Sequence, residues 1–109
     1  MIDGLIAGKL LGSPERRVDK NAKPFVVAKV IATAGDGEGI IVNVIAFDGG
    51  TGQTLLELRD GDSLSLTGAL TPRVWTDKQG SARPSLDLVA HRVLSARDVQ
   101  LERKSALDD

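Results

Sequence analysis

Almost every segment of this chain long enough to cross a small domain alternates apolar and polar residues with the two-residue period of a β-strand, or is rich in β-branched residues. That pattern predicts five strands, over residues 5–11, 25–33, 40–47, 63–70 and 85–95. The fourth is the clearest: Leu64, Leu66 and Gly68 face one way and Ser63, Ser65, Thr67 and Ala69 the other, a strand with one wet face and, at Gly68, a bend or bulge. Only 54–58, after the strand-breaking Gly49, Gly50 and Gly52, reads as one or two turns of helix. Gly35, Gly37 and Gly39 form a flexible turn into a strand. No helix N-terminus follows them to hold a phosphate, so a nucleotide site is not expected there. Five short strands with a helical interval between the third and fourth suit an all-β, five-stranded Greek-key barrel.

Composition sets the outer limits. The 109 residues support one domain, placed at 1–95, followed by a short tail, 96–109, expected to be ordered as a short C-terminal helix or a packed strand. Cysteine is absent, which excludes disulfides, thiol nucleophiles and cysteine metal sites and fits a reducing cytosol. The apolar start is interrupted by Asp3, Gly4, Gly8 and Lys9, lacks a basic flank, and is too short to span a bilayer. The expectation is a soluble cytoplasmic protein with no membrane partner. His91 is the single histidine, and Asp36/Glu38 and Asp60/Asp62 are turn acids of the solvated kind. The chain is therefore expected to be no enzyme and to carry no metal and no cofactor.

The span 70–83, LTPRVWTDKQGSAR, reads as a long basic hairpin. Asp77 opens a type I turn, Gly80 closes it, and Val74 and Thr76 suit the arms. Arg73, Lys78 and Arg83 surround Trp75, and basic groups beside a flat ring are what grips an unpaired nucleic-acid strand. The alternative is that Trp75 only pins the two arms together. Arg16, Arg17, Lys20 and Lys23 form a second basic cluster in an early loop, so two loops are expected to flank a groove. The net charge of −1 lacks the basic excess of many DNA-binding domains, and the reading rests on where the charges lie.

The residues in order also resemble one family, the bacterial single-stranded DNA-binding proteins. Gly8, Leu10 and Ser13-Pro14-Glu15-Arg16-Arg17 are similar to its opening, with Ser13 where aspartate is usual. Ile31-Ala32-Thr33 and Val44-Ile45-Ala46-Phe47 resemble the ends of its second and third strands. Leu58-Arg59-Asp60-Gly61-Asp62 and Thr67-Gly68-Ala69-Leu70 resemble its turn into and end of the fourth, and Arg73-Val74-Trp75-Thr76-Asp77 with Gly80 and Arg83 resembles its hairpin. The resemblance covers residues 4–95 and implies the oligonucleotide/oligosaccharide-binding (OB) fold. It also implies non-catalytic binding of single-stranded DNA, in replication, recombination or repair, by a homotetramer or else a homodimer. The DNA-binding residues expected are Trp75 and Phe47 for stacking, and Arg16, Arg17, Lys23, Arg73, Lys78 and Arg83 for phosphates.

Two departures temper what the resemblance implies. Phe25, Phe47 and Trp75 are the only aromatics, and Ile41 stands where a stacking tryptophan is expected, so binding should be weaker or more dependent on charge. Phe25 is expected to serve the core. The chain ends Leu107-Asp108-Asp109 without an aromatic, so recruitment of other proteins by a tail is not expected. The alternative function is an interaction or assembly subunit on a barrel with little DNA affinity.

Overall fold

The computed structural model describes residues 1–95, and the tail expected over 96–109, with its helix or strand, lies outside the described residues. Five strands and one helix follow in order: β1 (Ile2–Val18), β2 (Pro24–Thr33), β3 (Gly39–Ala46), α1 (Gly49–Leu56), β4 (Ser63–Thr76) and β5 (Ala82–Ser95). They close into a barrel in the order β1-β2-β3-β5-β4, in which every pair is antiparallel except β3 with β5. This is the Greek-key OB barrel expected from the strand pattern, with its helix between the third and fourth strands.

The core is what the alternation requires. Leu10 of β1, Val26, Ala28 and Val30 of β2, and Val42 and Val44 of β3 point inward to meet Leu64 and Leu66 of β4 and Leu88 and Ala90 of β5. Farther along β5 the buried positions shift from Leu88 and Ala90 to Val93 and Ser95, an odd step that a regular strand cannot make. A bulge makes it: Thr67 pairs with Arg92 and Gly68 with Ala90, so His91 is the extra residue. Gly68 has to be glycine, because a Cβ there would run into the Val89 carbonyl. The bulge's His91 carbonyl accepts a hydrogen bond from the Thr51 hydroxyl, 3.1 Å away, which ties the helix to the barrel.

Three elements differ from the expectation. β1 runs from residue 2 to 18 rather than 5–11, because an irregularity between Leu11 and Glu15, with Gly12 at φ +76°, turns the strand from β4 toward β2 without ending it. Arg16 and Arg17 therefore sit on a strand and not in a loop. The hairpin arms extend β4 to Thr76 and start β5 at Ala82. α1 begins at Gly49, not at 54, and takes all three glycines into its body. Asp48 caps it by accepting from the Thr51 amide at 2.9 Å, Leu55 is fully buried, and Gly52 lies where a Cβ would be 2.9 Å from a Val26 methyl. Packing against β2 selects glycine at 52 and outweighs its poor helix propensity.

Candidate nucleic-acid interface

The registers of three strand pairs, β2–β3, β3–β5 and β4–β5, place outward-facing residues in rows that cross the barrel. One row is polar: Lys29 of β2 pairs with Asn43 of β3, Asn43 with Asp87 of β5, and Asp87 with Thr71 of β4. The row beside it is apolar, Val27, Ile45, Val89 and Ala69. On the other side Ile31 and Ile41 continue into Ser85 and Arg73. The polar row and the apolar row beside it floor an open groove of about 730 Å³, closed at one side by the β1 bend at Leu11, Gly12 and Ser13; of the third row only Arg73 lines it. Its floor is thus a polar rung beside an apolar one.

Charge stands mostly at the rim. Arg17 and Arg73 both line the groove, from β1 and β4 respectively. Asp87 organises the floor: Arg73 Nε donates to its Oδ2 at 2.9 Å, and Asn43 Nδ2 donates to its Oδ1 at 3.3 Å. Arg17 is paired with Glu15 at 3.0 Å. These ion pairs are exposed, so each holds a guanidinium in place at little free-energy gain and leaves it open to a competing phosphate.

Beyond the groove, β4 carries Trp75 two residues past Arg73, on the same face of the strand, with 45% of its surface exposed. The tip is a four-residue reversal closed by Gly80 N–H to the Asp77 carbonyl at 3.1 Å, with Gly80 at φ +81°, and Asp77 N–H donates to the Ser81 carbonyl at 3.0 Å at its base. Asp77 Oδ1 accepts from the Gln79 and Ser81 amides, both at 2.9 Å, and its Oδ2 accepts from Arg83 Nε at 3.0 Å. The Ser81 amide first, and then Arg83, hold the Asp77 carboxyl below the usual aspartate range. Arg83, whose guanidinium is pushed further toward its charged form by Asp77 and Glu38, also reaches Glu38 at 3.3 Å, joining the hairpin to the β2–β3 turn.

The residues singled out from the sequence fall into three groups. Arg17 and Arg73 meet at the groove. Trp75 and Arg83 pair across the hairpin, where Arg83 is engaged by two carboxylates. Arg16, Lys23 and Lys78 are exposed with no side-chain partner among the described residues, and none of the three lines the groove. Phe47, just past β3, is 63% exposed and is not a core residue. Phe25 is a correction: it is half-buried on the outer side of β2, against Phe47 with ring centroids 6.1 Å apart, and not in the core. Lys29, Asn43, Thr71 and Asp87 were not among the expected site residues. Asn43 carried a signal, as the one polar residue on the face shared by Ile41, Ile45 and Phe47. Among the described residues no cluster of three or more metal-ligating side chains occurs, and no helix is long and apolar enough to cross a membrane.

No protein-family model matches the sequence, and no curated protein matches it. Solved structures do match. The chain is similar to a small single-stranded DNA-binding protein from Streptomyces coelicolor, with a TM-score of 0.68 and 22% identity over 86% of this chain and 93% of that one. It shares that fold. A mitochondrial single-stranded DNA-binding protein from S. cerevisiae is similar at a TM-score of 0.66 and 17% identity, over 87% of this chain and 94% of that one. A Plasmodium falciparum single-stranded DNA-binding protein, solved in complex with single-stranded DNA, is similar at 0.63 and 10% identity, over 87% and 94%. Identities this low establish the barrel and its connections and leave the binding residues to be argued from the groove itself.

Proposed function

We propose that this protein binds single-stranded DNA without catalysis, holding unwound strands during replication, recombination or repair. The observation that carries the proposal is the groove. Its floor sets a polar row beside an apolar one, so that unstacked bases meet both hydrogen-bonding groups and apolar surface, and Arg17 and Arg73 line it from β1 and β4. Two exposed rings lie outside it, Trp75 on the hairpin and Phe47 just past β3, the latter packed against the half-buried Phe25 of β2. In this reading Trp75 and Phe47 stack on bases. Arg17 and Arg73 take phosphates in the groove, and Arg16, Lys23, Lys78 and Arg83 take them along the path outside it. Phosphate then replaces Glu15, Asp87 and Asp77 as the partner of the three paired arginines.

Self-association belongs to the same proposal, as a homotetramer or else a homodimer. Over 2–8, β1 pairs with β4 on one side and with no described strand on the other, and Leu5 is 65% exposed there. Light scattering at micromolar concentration should show an oligomer, and a monomer alone would remove this part. The ion pairs at Arg17, Arg73 and Arg83 favour a second reading, an assembly subunit whose basic groups serve its own fold. Fluorescence of Trp75, the only tryptophan, separates the two. It should fall on addition of a mixed-sequence single strand and not on addition of blunt duplex. No change with either would favour the assembly reading.

A further inference from the structure

The polar row on the groove floor has a chemistry of its own. When ionised, Asp87 can only accept hydrogen bonds, so Asn43 must turn its amide nitrogen toward it, as the 3.3 Å contact has it. Asn43 Oδ1 then faces away with no donor among the described residues. Asp87 spends one acceptor position of each oxygen, on Asn43 and on Arg73, and keeps the others. The centre of the floor is therefore rich in unfilled acceptors. Those acceptors suit N–H donors on base edges, while the phosphates go to the cations that line the groove, Arg17 and Arg73. Lys29, at the β2 end of the row, has no side-chain partner among the described residues and is suited to a phosphate as a point charge.

From this geometry we infer that Asn43 and Asp87 read base edges, and that this protein prefers bases carrying an exocyclic amino group, cytosine above thymine. Carboxylates accept from cytosine N4. Thymine offers one N–H flanked by two carbonyl oxygens, which would face the Asp87 carboxylate and the Asn43 carbonyl. The inference rests on the single-strand reading above. Within it, the apolar row supplies sequence-tolerant contact and the polar row supplies a modest preference.

The test is competition between oligomers of deoxycytidine and of thymidine, equal in length and charge and both pyrimidine, at mildly alkaline pH where the cytosine strand stays unfolded. The wild type should bind the cytosine strand about fivefold more tightly, the low end of what one good base-edge contact discriminates. In Asp87→Asn that ratio should fall to about one while single strands are still bound, because an amide both donates and accepts. Asn43→Ala should lower the ratio in part, with an unchanged circular dichroism spectrum. Equal or tighter binding of the thymidine strand by the wild type would overturn the inference and leave single-strand binding standing. A preference that survives unchanged in Asp87→Asn would overturn it as well. If the wild type binds neither strand, the single-strand reading itself falls, and this one with it.

Discussion

Trp75 is the side chain on which the binding proposal can be examined most cleanly, since its exposed ring contributes little to the core. Trp75→Ala should cost about 1–3 kcal/mol of single-strand affinity if the ring stacks on a base, and Trp75→Phe should recover part of it. A calorimetric titration beside a thermal melt distinguishes this from a packing role, in which the alanine variant melts earlier while its folded fraction binds normally. The sequence carried the hairpin and placed Trp75 on its arm among basic residues, and left open whether the ring stacks on bases or pins the arms together. It did not carry the state of the arginines. Arg83 meets Glu38 across 45 positions of chain, and Arg73 meets Asp87 only because the β4–β5 register, which pairs Asp87 with Thr71 and Arg73 with Ser85, sets them diagonally on one face. Phe25 was misread for a related reason: its contact with Phe47 on the outer side follows from the β2–β3 register, which sets Val26 opposite Ala46.

The elements were legible where one face is wet and obscured where packing overrides local preference. Strand alternation located all five strands, but the β1 bend at Gly12 and the glycine-bearing start of α1 depend on neighbours the sequence does not display. Leu55 shows how far α1 belongs to the core. Leu55→Ala should destabilise the protein by about 2–5 kcal/mol in denaturant unfolding, since the barrel offers no side chain to refill the space. The hairpin makes a separate prediction. The Asp77 carboxyl titrates below its unfolded value, so it stabilises the folded state above the ordinary aspartate pKa, about 3.9, and that contribution disappears as pH falls through the lowered value. In thermal melts followed from neutral to acid pH, the gap between wild type and Asp77→Ala should be widest near neutrality and close below about pH 4. A gap that is constant with pH would mean that the charge on Asp77 does not hold the turn.

At the scale of the whole molecule, where the charges lie matters more than their sum. A net charge of −1 carries no attraction for DNA as a sum. The order β1-β2-β3-β5-β4 brings Arg17 and Arg73, far apart in sequence, to one groove whose floor sets a polar row beside an apolar one. The fold was readable from strand number and helix position, whereas the groove's polar row was not, because it exists only through the registers of three strand pairs. The central claim is that this groove holds an unpaired strand through phosphates at its rim and bases on its floor. The most direct measurement is the dissociation constant for a mixed-sequence single strand and for its blunt duplex, by fluorescence anisotropy across a range of salt concentrations. The account predicts tighter binding of the single strand at every salt concentration, with log affinity falling against log salt by about 0.7 for each phosphate neutralised. Equal or tighter binding of the duplex, or an affinity indifferent to salt, would contradict it.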